Sequence, residues 1–279
     1  MNDREYRIRK YVGIICRHAF LIIMAAVIIL PFFWMVISSF KSNTAVFDST
    51  HFFPVEWRWQ NYPEALQLAP FGRFFINSVV VTAVVVASQL ITCSMAGFAF
   101  AKLNFKFRNL IFMLFLACMM IPNQATVISN YITASRLGLI NTYLGLVMIS
   151  LTSVFGIFLM RQYFMTVPRE FMEAASLDGC GVFRIFIRIF LPMGKSALAT
   201  VGVFGMINAW NDYMWPLIVT SSNDYKTVQT GIRYLISEDV GSQWGYIMAM
   251  STVIILPVVI IFLFLQRFFI QGITKVGLK

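Results

Sequence analysis

Charge is scarce in this chain: 12% of its 279 residues are Asp, Glu, Lys or Arg, 59% are hydrophobic, and mean hydropathy is +0.75. An ordinary soluble domain carries about 25% charge, so the composition excludes one. Histidine is scarcer still. Only His18 and His51 occur, and no His, Cys, Asp and Glu stand together at metal-ligand spacing, so no metal site is expected. No Ser or Cys has a base placed near it in sequence, which leaves no catalytic residue to name. Gly194-Lys195-Ser196 imitates the end of a phosphate-binding loop, but the glycine required five positions earlier is Ile189 and the triplet follows Leu191-Pro192-Met193 where a strand is needed. The chain is therefore expected neither to hydrolyse ATP itself nor to hold a cofactor, and an enzyme is not expected. The four cysteines, Cys16, Cys93, Cys118 and Cys180, fall in apolar runs or on the side read below as reducing, so no disulfide framework is implied.

What the chain does have is length without charge. Stretches 18–40, 74–101, 109–135, 137–160, 196–220 and 240–266 are each long enough for a helix of about 20 residues to cross ~30 Å of hydrocarbon, the fifth interrupted only by Asp212. The fold class expected is all-α, a polytopic membrane protein with six transmembrane helices. With the N-terminus inside, sixteen of the 22 Lys and Arg fall on the inner side, which puts both termini in the cytoplasm. The +10 net charge is then a topology signal scattered over four inner segments, and no nucleic-acid footprint is expected. The basic N-terminus before an apolar run could pass for a signal peptide, but that run is too long and has no small-residue cleavage pattern after it, so it is expected to stay as the first span. In the outer loop 41–73, Trp57, Trp59, Asn61 and Tyr62 form an aromatic patch that suits the lipid interface or an extracytoplasmic partner.

Between the fourth and fifth runs lies a polar segment, 166–192, that reads as two short helices at an angle. Thr166 can cap and Pro168 can sit in the first turn, with Glu170 well placed against the helix dipole. Gly179 and Gly181 supply positive φ to turn the chain. Val182 to Phe190 then form a second helix with Arg184 and Arg188 on one face and Phe and Ile on the other, suited to the membrane surface. Small Ala174 and Ala175 beside Glu173 suit a helix that enters a groove on a partner; the alternative is a surface helix that only joins two spans.

The spacing Glu173-Ala174-Ala175, three residues, Gly179, nine residues, Ile189, one residue, Leu191, then Pro192, resembles without a gap the cytoplasmic signature of bacterial ATP-binding-cassette (ABC) importer permeases. Asn77-Ser78, Ala96 to Ala101, Met120-Ile121-Pro122, Leu137 to Thr142 and Trp210-Asn211 extend the likeness to the carbohydrate branch, which includes the smaller permease chain of the maltose importer. The tail Gly272 to Lys279 is similar to one that reaches the ATPase interface, though it lacks a Gly-Ala step. The resemblance implies a type I ABC importer permease fold in a bacterial inner membrane. It divides the chain into 1–73 (N-terminus, first helix and outer loop), a five-helix permease core 74–266 holding the coupling segment 166–192, and a cytoplasmic tail 267–279. It also implies Glu173, Ala174, Ala175, Gly179, Leu191 and Pro192 as coupling residues. The partners implied are a second homologous permease, two ATPase subunits, an extracytoplasmic sugar-binding protein and membrane lipid. The solute implied is a sugar, a di- or oligosaccharide, with a non-sugar such as a glycerol phosphate as the alternative. An ion-coupled secondary transporter is the reading from another class, but it would carry mid-membrane ionisable groups and inverted repeats.

Polar residues inside apolar spans are costly in lipid and mark a pathway or a structural need. Asn208, Asn211, Asp212 and Trp215 sit at i, i+3, i+4 and i+7, one face of a single helix, and pair hydrogen-bonding groups with an aromatic plate suited to a pyranose ring. Asn123 and Gln124 after Pro122 are a second candidate. In both places the alternative stands that these groups satisfy backbone freed by Pro216 and Pro122.

Overall fold

The computed structural model describes residues 3–48, 50–236 and 242–276, with side chains described from 11 to 264 within those ranges. Of the tail, 277–279 lie outside the described residues, as do the side chains of 265–276. All regular structure among the described residues is helical: α1 (Asp3–Ser38), α2 (Asn61–Gln67), α3 (Phe71–Lys102), α4 (Arg108–Cys118), α5 (Asn123–Arg136), α6 (Tyr143–Val147), α7 (Val154–Thr166), α8 (Glu170–Leu177), α9 (Val182–Ile185), α10 (Leu191–Met193), α11 (Lys195–Asn211), α12 (Met214–Val219), α13 (Val228–Gly231) and α14 (Trp244–Val276).

Among the described residues three helical stretches are long and apolar enough to cross a membrane, Tyr11–Ser38 in α1, Phe71–Lys102 and Trp244–Phe264 in α14. Two bent pairs raise this to five if each is one span: α4 with α5, at 98°, and Val182–Met193 with α11, at 80°. The expectation of six differs mainly at 137–160. There the chain makes α6, then an irregular stretch, then α7, which starts where the Ser153 hydroxyl accepts from Gly156 N–H at 3.1 Å as its cap. The break after α4 has a proline cause. Pro122 has no N–H to give the preceding turn and holds extended backbone (ψ 136°) as the cap of α5.

The chain divides into two compact units. In the first, residues 1–69 with 232–255, Asn61 is buried and its amide donates to the carbonyls of Ser39 (2.8 Å) and Lys41 (2.9 Å), while Tyr246 donates to Glu64 at 2.7 Å. Asn61 thus ties α2 to the end of α1. Trp57 and Trp59 stay exposed, stacked with centroids 6.2 Å apart and resting on Phe40.

The second unit, 70–231 with 256–279, is built on α3. Buried positions Phe74, Ser78, Val81, Val85, Gln89 and Cys93 step by three or four along it, the stripe of a helix packed on one side. Glycine decides how close its neighbours come. A Cβ on Gly97 would meet Met160 Cβ at 2.5 Å, and one on Gly156 would meet Cys93 Sγ at 2.7 Å, so α3 and α7 touch nearly backbone to backbone. At the far end Asn77, fully buried, donates to the carbonyls of Asp224 (2.9 Å) and Lys226 (2.8 Å) and accepts from Tyr143, and Arg73 pairs with Asp224 at 2.8 Å. These bonds fix the loop between α12 and α13 on α3.

Candidate translocation cavity and coupling segment

A cavity of about 800 Å³ opens in the second unit among α5, the irregular stretch before α7 and the end of α11. Both sequence candidates reach it. Asn123 and Gln124, in the first turn of α5, line it together with Asn208, Asp212 and Trp215. Asn211 is not among its lining residues; its side-chain oxygen accepts from Gln229 at 3.3 Å.

The single helix face expected for Asn208, Asn211, Asp212 and Trp215 does not exist. α11 ends at Asn211, Asp212 is extended (ψ 118°), and α12 begins at Met214. Pro216 explains the break, since it has no N–H to return to the Asp212 carbonyl four residues before it and its ring would crowd that carbonyl in a continuous helix. Asp212 repairs part of the damage by accepting from Trp215 N–H at 3.3 Å, as an N-terminal cap does. Trp215 is buried and its indole donates to Gly145 carbonyl at 2.9 Å, so its ring is fixed as well as apolar.

The wall that sequence reasoning missed is the non-helical stretch. Ser150, Thr152 and Ser153 line the cavity, and the carbonyls freed there are met from α3: Ser88 donates to Leu151 (2.7 Å), Gln89 to Ser150 (2.8 Å) and Thr92 to Leu151 (3.3 Å). Irregular backbone packed among apolar helices survives only with such partners. The signal was available, since Ser88, Gln89 and Thr92 lie at i, i+1 and i+4 in an apolar span with no other task.

Among the described lining residues there is no Lys, Arg or His, and Asp212 is the one acid. Apart from the Cys118 thiol and the Trp215 indole, whose N–H is taken by Gly145, the remaining polar side chains are amides and hydroxyls. Such a wall can exchange hydrogen bonds with hydroxyl-rich, uncharged solutes, and its volume lies in the range of ordinary ligand sites, about 300–1,000 Å³.

The segment between α7 and α11 turns as expected at one glycine and not at the other. Gly179 has φ +76°, whereas Gly181 is extended (φ −68°, ψ 153°) and caps α9. Thr166 does not cap α8. It is the last residue of α7, its hydroxyl donating back to Tyr163 carbonyl at 2.7 Å, and Arg169 takes the cap position after Pro168. After α9 the chain continues as a π-helical turn over Phe186–Phe190 into α10. Pro192 has no N–H to return to the turn before it, a sufficient reason for the widened helix. The face expected at a membrane surface is divided: Ile185 of α9 with Phe186 and Phe190 of the turn lies in a core with Phe98 and Phe164, while Phe183 and Ile187, like Arg184 and Arg188, are exposed.

α8 shows most of its surface. Glu173 and Ala174 are exposed, Leu177 is 89% exposed and Phe171 48%, while Ala175 is buried. Gly179 is exposed, Leu191 half-buried and Pro192 exposed. Lys102, at the end of α3, is buried, donates to Val167 carbonyl at 2.5 Å and lies 5.6 Å from the Phe190 ring centroid. One side chain thereby pins the start of the segment to the core, a role its place among the inner cations did not announce.

Residues 91–275 match the family described as binding-protein-dependent transport system inner membrane component. The chain is 30% identical to the probable ABC transporter permease protein YurM of Bacillus subtilis, over all of this chain and 93% of that one. It is 33% identical to the arabinooligosaccharides transport system permease protein AraQ of Halalkalibacterium halodurans, over 92% and 93%. With the sn-glycerol-3-phosphate transport system permease protein UgpE of Yersinia enterocolitica the identity is 32% over 95% and 97%. Its fold matches a chain of a bacterial ABC transporter involved in the import of the acidic polysaccharide alginate, with a TM-score of 0.80 at 24% identity over 96% and 99%. A membrane chain with broken helices around a polar cavity, matched over most of its length, belongs to the inner-membrane permease family of binding-protein-dependent ABC transporters.

Proposed function

We propose that this chain forms half of the translocation pathway of an ABC importer for an uncharged sugar, a di- or oligosaccharide, and that α8 to α10 couple it to partner ATPases. The observation that carries the solute reading is the 800 Å³ cavity lined by Asn, Gln, Ser and Thr without a cation among its described residues. A glycerol phosphate would enter that wall with its charge unpaired beside Asp212, at a cost of several kcal/mol. The relative named for arabinooligosaccharides supports the sugar over the relative named for glycerol phosphate on this ground alone.

The working cycle then needs three further components. A second homologous permease supplies the other wall, an extracytoplasmic binding protein delivers the sugar, and two ATPase subunits bind below. On the ATPase side, Phe171, Ala174 and Leu177 recur every three residues along α8 as an unpartnered apolar edge beside Glu173. This edge fits a groove with a basic rim. Gly179 and the Phe186–Phe190 core carry the push from α8 into α11, whose far end bears Asn208 beside Asp212. Catalysis of ATP hydrolysis stays with the partners, and the coupling residues are Glu173, Ala174, Ala175, Gly179, Leu191 and Pro192.

Uptake by the importer reconstituted in proteoliposomes tests the reading. Labelled oligosaccharide should enter with ATP and be unaffected by excess glycerol phosphate. Uptake of glycerol phosphate in its place sinks the sugar, and uptake that continues without ATP sinks the coupling.

A further inference from the structure

The connection between α3 and α4 carries more chemistry than a link between helices requires. Asn104-Phe105-Lys106-Phe107-Arg108 alternates rings and cations; Phe105 and Phe107 are exposed, and the Lys106 ammonium lies 5.0 Å from the Phe107 ring centroid. Phe107 holds φ +64°, a left-handed angle unfavourable to any residue with a Cβ and least expected of a bulky one. Strain kept at an exposed aromatic points to a task outside the fold.

Cations gather around this loop. Arg108 donates to Leu103 carbonyl at 3.0 Å and to Asn104 Oδ1 at 3.4 Å, and Arg169 donates to the same Oδ1 at 3.4 Å. Arg161 has Arg108 as a charged neighbour, and Lys102 has Arg169 and Glu170. Lys102, Lys106, Arg108, Arg161 and Arg169 form no ion pair among the described residues. A cavity of about 310 Å³ sits over the loop, lined by Asn104, Phe105, Phe107, Arg108, Asn109 and Leu110.

We propose that this loop is a docking surface for an anionic phospholipid, with Lys106, Arg108 and Asn104 on its phosphodiester and the Phe105 and Phe107 rings among the first carbons of its acyl chains. The place in the chain favours a lipid: the loop starts where a helix long and apolar enough to cross a membrane ends, and exposed rings and cations are both favourable at the end of such a helix. An acidic protein surface would satisfy the cations and leave two Phe rings in water. A neutral lipid would cover the rings and leave the cations unmatched. Because Asn104 bridges Arg108 and the cap residue of α8, a bound lipid would also steady α8; only this consequence rests on the coupling role proposed above.

The full chain in phosphatidylcholine nanodiscs, probed with spin-labelled phosphatidylglycerol against spin-labelled phosphatidylcholine, tests the site. The motionally restricted fraction should favour phosphatidylglycerol, falling about fivefold for each cation removed in Lys106→Ala and Arg108→Gln, while Arg136→Gln at another helix end changes nothing. Phe107→Gly relieves the backbone and removes the ring, so it should fold at least as well and still loosen the bound lipid. The proposal is overturned by no preference in the parent chain, by a preference that survives Lys106→Ala with Arg108→Gln, or by one abolished by inorganic phosphate at constant ionic strength. A preference lost when the ATPase subunits bind assigns the loop to them and overturns it equally.

Discussion

The α8–α10 end and the cavity end of the second unit are built on opposite principles. Around α8 to α10 the interior is aromatic and closed, with Phe98 packed on Phe164, Phe186 and Phe190 at centroid distances of 5.0–6.2 Å and glycines bringing α3 against α7. Around the cavity, helices stop, backbone is irregular, and hydrogen bonds from Ser88, Gln89 and Thr92 replace packing. A close-packed core resists small displacements and so transmits them. A wall held by side-chain hydrogen bonds offers polar groups to a solute and is cheaper to rearrange. The two ends of α11 belong to these two regimes, and the variants below ask whether the division is functional.

The largest effect is expected at the closed end. Gly179 has nothing within 4 Å of an added Cβ, so its φ of +76° is the only obstacle to substitution. Gly179→Ala should therefore cost about 1–2 kcal/mol locally, while Gly179→Pro, which cannot reach that angle and loses the N–H bonded to Ser176 carbonyl at 3.1 Å, should misdirect α8 and abolish uptake. Glu173→Lys should do the same by repelling a basic rim. Immunoblots of membrane fractions should find normal amounts of both variants, and uptake at the parental rate in either would remove Glu173 to Gly179 from the coupling role.

Next comes the frame of the cavity. Gln89→Leu removes the part-buried bond to the Ser150 carbonyl at the cavity wall, a loss of about 1 kcal/mol. Thermal melting of the detergent-purified complex should fall, and uptake should fall with it, because the irregular wall is no longer held. A variant that melts and transports as the parent does would show that the α3 hydrogen bonds are dispensable.

How far these two regions could be read from sequence differs for the same physical reason. The closed end is partly local: the turn at Gly179 and the two helices follow from residues near one another in the chain, whereas the cap at Thr166 and positive φ at Gly181 are not found, and the Phe and Ile face that suits a membrane surface instead packs Ile185, Phe186 and Phe190 against Phe98 and Phe164, residues distant in sequence. The cavity depends on three breaks whose outcome sequence does not settle. Asn208 to Trp215 satisfies a helical period, and only the competition between that period and Pro216 decides where α11 ends. Ser150 to Ser153 looked like the middle of a span because its hydrogen bonds come from α3, some 60 residues away. Asn123 and Gln124 were found from polarity alone, without any hint that they would face Asp212 across the same space.

Within the cavity wall, Asn208→Ala and Asp212→Ala should each raise the half-saturating sugar concentration by about an order of magnitude, the value of one hydrogen bond of ~1–3 kcal/mol to a bound solute. Asp212→Asn separates its two roles. An amide oxygen still accepts from Trp215 N–H, so the cap persists, while the charge goes. Initial rates of labelled uptake against sugar concentration decide: parental behaviour in Asp212→Asn with a defect in Asp212→Ala means that the side chain serves through its oxygen, and parental behaviour in all three variants means that this wall is structural.

The smallest effect is expected at Asn211, which shares a helical register with Asn208 and Asp212 and differs from both in where it lies. Its side-chain oxygen is taken by Gln229 at 3.3 Å, it is exposed, and it does not line the cavity. An exposed hydrogen bond between two neutral side chains contributes about 0.5–1.5 kcal/mol at most, and its loss leaves both partners open to water instead of stranded. Asn211→Ala should then leave the half-saturating concentration within about twofold of the parent, with at most a small drop in the melting temperature. A tenfold rise would put Asn211 on the pathway. It would mean that α11 runs on through Asp212 in some working state of the importer, restoring the one-face stripe that the sequence alone suggests.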